Sequence, residues 1–291
     1  MGKRETAFSG EYKREPVQFM GEDFILPFQP FELNHEYSVL YTIQKGEVMQ
    51  TLKQNFSVRR LRSEVKQDDF YFIQIDKISE PLIDGKTIDI TAYNVAEKTA
   101  RLVYPLRIVV DKYGKWVEIN SYDKLKERWE KQKDEIKDFY DGLIYEILAN
   151  NVEEAIEDND SLIQFMSSNW FLRAFFNGIH APYTRKFEIE KKLYFPAIAE
   201  VDDIEFSIAQ KVNPYLNELQ QIEVTQIGET ENEYINGSFR ANYFINPNNY
   251  IVQNLDLECK IAMSTPRNIS LRVRNLDQKT SLLDSGITPL V

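Results

Sequence analysis

A single cysteine, Cys259, stands in the 291 residues, so the chain can form no internal disulfide and does not look like a secreted, disulfide-built scaffold. Only two histidines, His35 and His180, are available for imidazole chemistry, and neither sits in a metal-ligand spacing such as H-E-x-x-H. Glycine is scarce at 11 residues, and no G-x-G-x-x-G, G-x-x-x-x-G-K-[ST] or G-x-S-x-G occurs. Phosphate-cradling loops and the nucleophile elbow are therefore missing from the sequence. Positive charge is in deficit, with a net charge of -11, which works against binding to nucleic acid or to an anionic membrane. No apolar run approaches the roughly 20 residues of a membrane span. Met1 to Thr6 lacks the apolar segment of a secretory signal, which predicts a cytoplasmic protein unless a leader has been removed. Gly2 and Thr6 fit an N-myristoylation pattern, but an ordinary start is the plainer reading.

What the chain does have is aromatic side chains, 18 Phe, 16 Tyr and 3 Trp, and a helical pattern from about Asn120 to Tyr183 with strand patterns on both sides. Apolar residues recur at Leu125, Trp129, Ile136, Phe139, Tyr140, Leu143, Ile144, Ile147 and Leu148, the three-and-four spacing of one helix face. Asn120 or Ser121 offers the N-cap, and a pause is expected at Asn150 and Asn151. Asp160 or Ser161 offers a second cap for the run Leu162, Ile163, Phe165, Met166, Trp170, Phe171, Leu172, Phe175 and Phe176. This run is apolar nearly all round and should be buried.

Before the helices, residues 1–36 read as an extended arm, interrupted by Pro16, Pro27 and Pro30. Period-two alternation then predicts a long hairpin through Tyr37 to Ile43 and Val48 to Val58, and strands at Asp69 to Asp76 and Thr87 to Ile90. A short helix is expected over Thr91 to Arg101, then a hairpin of Leu102 to Val110 and Trp116 to Ile119, turning at Asp111 to Gly114. After Pro182, strands are expected at Lys186 to Phe195, Ile204 to Val212, Gln221 to Ile227, Gly237 to Ile245, Tyr250 to Met263 and Ile269 to Asn275.

Strands, helices, strands in that order predict an α+β protein whose antiparallel sheet wraps or flanks a central long helix and shorter ones. The expected organisation is an arm over 1–36, one domain over 37–276 and a tail over 277–291. Within the domain, strands occupy 37–120, helices 121–180 and strands 184–276; two sheet lobes joined through the helix are the alternative. The hairpin turning at Asp111 to Gly114, the helical middle and the hairpin that starts at Gly237 resemble uncharacterised lipoprotein domains of Bacteroidetes over Leu102 to Met263. The resemblance implies an architecture and transfers no functional residues.

No catalytic, cofactor-binding or metal-binding residue emerges. Cys259 sits mid-strand on an apolar face and reads as core. His180 reads as a structural imidazole at a helix C-terminus. Glu157 to Asp160 lacks an EF-hand pattern and reads as a capped loop. The basic run Arg59, Arg60 and Arg62, with Lys66, Arg272 and Arg274, alternates across a strand and reads as ion-pair partners. The expectation is thus a non-enzymatic protein-interaction component, an adaptor, an inhibitor or immunity-like protein, or an assembly subunit. Its partner-binding candidates are Phe8, Tyr12, Phe19, Phe24 and Phe28 on the arm. A homo-oligomer is compatible with the same surfaces, whereas nucleic acid and an integral membrane segment are not expected. The alternative is a carrier or binding module for an apolar small molecule or lipid, held between sheet and central helix, with Trp170, Phe171 and Phe175 as pocket candidates.

Overall fold

Alternating apolar and polar residues dominate the chain, and in the computed structural model they form antiparallel strands. The structure describes residues 14–62, 69–87, 90–139, 142–198, 203–230 and 235–277. The strands are β1 (Asn34–Lys45), β2 (Val48–Leu61), β3 (Phe70–Lys77), β4 (Leu82–Ile83), β5 (Leu106–Asp111), β6 (Trp116–Ile119), β7 (Glu188–Phe195), β8 (Ile204–Val212), β9 (Ile222–Thr230), β10 (Asn236–Ile245), β11 (Val252–Ala262) and β12 (Arg267–Asn275). The helices are α1 (Thr91–Leu102), α2 (Tyr122–Phe139), α3 (Leu143–Ala155), α4 (Asn159–Ser167) and α5 (Trp170–Phe175). All strands belong to one sheet in the order β6-β5-β3-β2-β1-β12-β11-β10-β9-β8-β7, with β4 beside β2. The two halves of the chain meet at β1 and β12, where Tyr37 faces Asn275 and Lys45 faces Arg267.

The expected α+β fold around a central long helix is overturned. Strand accounts for 46% of the structure and helix for 23%, so the fold is mainly β. The stretch from 120 to 183 is four separate helices because three local signals outweigh its periodicity. Gly142 takes φ +107°, which no L-residue adopts comfortably, and breaks the chain between α2 and α3. The Asp158 carboxylate then caps the Ser161 amide at 2.7 Å, and the Asn169 carbonyl oxygen caps Leu172 at 3.1 Å. The break falls before α3, and Asn150 and Asn151, the expected pause, lie inside that helix. Ser121 sits ahead of α2 as expected, but its hydroxyl accepts from the Arg107 amide at 3.1 Å and is spent on β5. The element that reaches the middle of the sheet is α5, only six residues long, against β11. Strand is not formed at 87 or 90, and the short β4, which the sequence did not suggest, pairs with β2 nearby.

One face of the sheet carries the core. Tyr37, Val39, Phe56, Val58, Ile73, Ile75, Phe206, Val224, Tyr243, Leu255 and Val273 are buried there, and Phe171, Leu172 and Phe175 of α5 pack into them. Phe171 stacks on Phe56 with centroids 5.0 Å apart, and Phe175 meets Tyr37 edge-on at 5.1 Å. A polar network ties the segment after α5 to β8, β9 and β10. Asn177 Nδ2 donates to Gln226 at 3.0 Å and to the Tyr243 hydroxyl at 2.6 Å, Gln226 donates to Gln210 at 2.7 Å, and Tyr243 donates to the Ala174 carbonyl at 2.9 Å. Burial holds the Tyr243 and Tyr183 phenols neutral far into alkaline pH, so they act as fixed hydrogen-bonding groups.

The same segment shows that the sheet is curled. Laid flat, eleven strands spaced by about 4.8 Å would hold β6 and β7 roughly 48 Å apart. Yet Phe176 and Asn177 touch both edges. The Trp116 amide of β6 donates to the Phe176 carbonyl at 3.0 Å, and Lys191 Nζ of β7 donates to the carbonyls of Asn177 and Gly178 at 3.3 Å each. The sheet is therefore an almost closed barrel whose seam is bridged by residues 176–178. Gly228 helps it bend: a Cβ there would come within 2.4 Å of Ile208 and of the Ser207 carbonyl oxygen.

The described part of the arm straps across the same region. Val17 donates to the Pro214 carbonyl at 2.9 Å, Leu26 to Ala181 at 3.2 Å, and Arg60 of β2 to Leu33 at 2.8 Å. Val17, Leu26 and Leu33 of the arm are buried.

Candidate functional site

The helices do not cover the whole inner face of the sheet. Along β1 the inward positions run from Tyr37 and Val39, fully buried, through half-buried Tyr41 to Ile43, which is 42% exposed. Along β2 they run from Phe56 and Val58 to Val48, 71% exposed. That uncovered end is the floor of an apolar groove.

Trp170 forms one wall. Because Asn169 caps α5, Trp170 occupies the first helical position, and its indole Nε1 donates to the Pro196 carbonyl at 2.8 Å. The ring is thereby fixed against Tyr41, with centroids 6.3 Å apart. The opposite wall is α1, which turns Tyr93, Ala96, Glu97 and Ala100 toward the groove at helical spacing. Two alanines face large aromatic residues there, and the volume their side chains leave empty becomes cavity. The space between α1, β1, β2 and Trp170 holds about 370 Å³. A second cavity of about 310 Å³ shares Tyr41, Leu52, Gln54, Lys77, Ala100 and Trp170 with it and extends to Tyr104, Phe165 and Met166. A third, about 160 Å³, adjoins at Ala100, Val103 and Phe165 and reaches between α1, α2, α3 and α4 to Leu125, Leu148 and Ile156. Phe165 stands where the second and third meet and is 49% exposed.

One ion pair interrupts this apolar lining. Lys77 Nζ lies 3.3 Å from Glu97 Oε2, and the two side chains are only 11% and 13% exposed. Glu97 also accepts from Arg101 Nε at 3.1 Å. Burial lowers the Lys77 pKa, an effect that Glu97 partly offsets. The Lys77 ammonium also lies 5.4 Å from the Tyr104 ring. The groove is thus apolar along its length, with one compensated charged pair in its wall. It offers shape and apolar surface, with Lys77 and Glu97 as its buried charged groups.

Of the pocket candidates named from sequence, Trp170 lines the groove, while Phe171 and Phe175 lie in the core beneath it. Tyr41, Leu52, Gln54, Lys77, Ala96, Glu97 and Ala100 were not singled out. Their only signal is the pair of small residues four apart on an amphipathic helix, which ordinarily marks close packing. Of the partner-binding candidates, Phe8 and Tyr12 lie outside the described residues. Phe19 stacks on Phe187 with centroids 5.2 Å apart, Phe24 meets both rings edge-on, and Phe28 packs on Tyr71 and His180 at 5.4 and 5.0 Å. These three are committed to contacts within the chain.

His180 is buried, and its pKa is pushed down to about 4 by loss of solvent, so it is neutral at pH 7. Its Nδ1 lies 2.8 Å from the Pro27 carbonyl, which can only accept, so Nδ1 carries the proton. Burial pushes the Cys259 thiol up to about 12, leaving no thiolate nucleophile at neutral pH. Arg272 and Arg274 both pair with Asp256, at 3.4 and 2.6 Å, and the Arg60 guanidinium stacks over the Phe31 ring. Among the described residues, no cluster of three or more metal-ligating side chains occurs, and no helix is long and apolar enough to cross a membrane. No protein-family model matches the chain, and no curated protein matches it.

Proposed function

We propose that the protein binds an apolar small molecule or the acyl chain of a lipid in the groove between the sheet and helices α1, α4 and α5. The observation that carries this reading is the uncovered end of the inner sheet face, where Tyr41, Ile43 and Leu52 line the first of three apolar cavities in series. Each of the two larger cavities is at the lower end of the size of small-molecule sites, and a chain-like ligand threading them would reach the helix bundle. Burying its methylenes against these walls supplies about 0.8 kcal/mol each, enough for binding without any directed polar contact. This reading is preferred to a protein partner on the arm because Phe19, Phe24 and Phe28 already have partners within the chain.

Native mass spectrometry of protein purified gently from its own source, compared with the denatured mass, tests the proposal. An excess of a few hundred daltons lost on denaturation is expected. Ala100 borders all three cavities, so A100W should fill their junction and reduce uptake of a fluorescent fatty acid at least ten-fold, with the melting temperature held or raised. Equal uptake by A100W and wild type would sink the proposal.

A further inference from the structure

The seam of the barrel holds a separate cavity, about 640 Å³, which shares no lining residue with the groove. Trp116 from β6, Phe176 from the bridging segment, Pro182 beyond it and Leu193 from β7 give it an apolar wall. Its charges are mostly positive, in a chain whose net charge is -11. Of the two lining carboxylates, one is paired with a cation and the other, still charged, holds a turn. Asp203 pairs with Arg173 at 2.5 Å, and Asp111 Oδ1 accepts the Tyr113 and Lys115 amides at 2.9 Å each, which holds the β5–β6 turn. Lys192 pairs with Glu205 at 2.6 Å. Lys115 and Lys191 have no carboxylate within ion-pairing distance among the described residues. Lys191 gives two of its three ammonium protons to the Asn177 and Gly178 carbonyls. Burial, and secondarily the Lys115 charge, bring its pKa down to about 8.

We propose that this cleft is a binding site for a small carboxylic acid with an apolar or aromatic body, its carboxylate lying between Lys115 and Lys191 and its body against Trp116, Phe176 and Leu193. The carboxylate pairs directly with both ammonium groups, which no carboxylate among the described residues does, and the body displaces water from an apolar wall. A bare phosphate fits less well. Phosphate sites draw on bidentate arginine or converging backbone N–H groups, whereas Arg173 is already engaged by Asp203 and the apolar walls would be left unused. This site is independent of the groove and stands or falls separately.

The test is isothermal titration of the full-length protein with 3-phenylpropionate, its neutral amide, and inorganic phosphate. Submillimolar binding of the acid is expected, at least ten-fold tighter than the amide or phosphate. K115Q alters an exposed side chain, and should leave the melting temperature unchanged while weakening the acid about ten-fold. Saturation with the acid should also raise the Lys191 pKa, followed by NMR of carbon-13 dimethylated lysines. K191M adds a second reading where it folds, and K115Q decides by itself where it does not. The proposal is overturned by equal binding of acid and amide, by phosphate binding as tightly as the acid, or by K115Q binding the acid at wild-type affinity.

Discussion

At the scale of single residues, His180 shows how burial converts a sequence-level ambiguity into a defined state. An imidazole near a helix end can be a cation stabilised by carbonyls or a neutral group locked in a core. Here Phe28 covers the ring and the Pro27 carbonyl takes its only N–H on Nδ1. The folded pKa of about 4 lies below the ordinary value near 6.5. Above pH 6.5 both folded and unfolded states are neutral at this position, and its contribution to stability is fully present. As the pH falls from about 6.5 to about 4, the unfolded chain takes up a proton that the folded chain refuses, and stability is lost. The total is on the order of 3 kcal/mol. H180Q should remove that step. Urea midpoints at pH 7.5 and 4.5 should differ less in H180Q than in wild type, and identical pH dependence in the two would refute the assignment.

At the scale of elements, α1 and β3 are joined across the groove by Lys77 and Glu97. Because both side chains are largely withdrawn from solvent, removing one partner leaves the other charge uncompensated, whereas removing both does not. K77M or E97L alone should cost about 3 kcal/mol, while the double variant K77M/E97L should return close to wild-type stability. Chemical denaturation of the four proteins of this cycle reads the difference. Additive losses in the double variant would mean that the pair is not coupled. The helical middle teaches a related lesson. Its apolar spacing is genuine, since Leu125, Trp129 and Ile136 are all buried. The spacing says which face is covered and nothing about continuity, and Gly142, Asp158 and Asn169 divide the stretch into elements short enough to fold into the mouth of a curled sheet.

At the scale of the whole molecule, the sheet is held together by strands from opposite ends of the chain. β1 lies between β2 and β12, and the His35 imidazole meets the Asp277 carboxylate at 2.8 Å across 242 positions of sequence. Contacts of such separation form late and fold slowly, and refolding on the order of milliseconds to seconds is expected. Once formed, the β1–β12 junction should be the most protected part of the protein. Hydrogen exchange should be slowest for amides in the facing stretches Tyr37 to Ile43 and Ile269 to Asn275, and fastest among the strands for β6 and β7 at the seam. Faster exchange at the junction than at the seam would mean that the two halves of the sheet are separate folding units.

Most strands were legible in the sequence because their signal is local. Period-two alternation and the turn residues at Asn246 to Asn249 place β10, β11 and β12 within two residues of their observed bounds. Of the run expected to be buried, Leu162, Met166, Phe171, Leu172, Phe175 and Phe176 are, while Ile163 and Trp170 are partly covered and Phe165 is exposed. The curl of the sheet, the meeting of β1 with β12 and the separation of a cavity-lining Trp170 from core Phe171 and Phe175 were decided only by tertiary structure. Strand pairing is set by hydrogen bonds between backbones that look alike in every strand, so a single sequence specifies the faces of a strand far better than its neighbours. The groove likewise depends on what two alanines of α1 fail to fill once Tyr41 and Trp170 stand opposite them. A cavity is a property of the assembled walls, and no one segment encodes it.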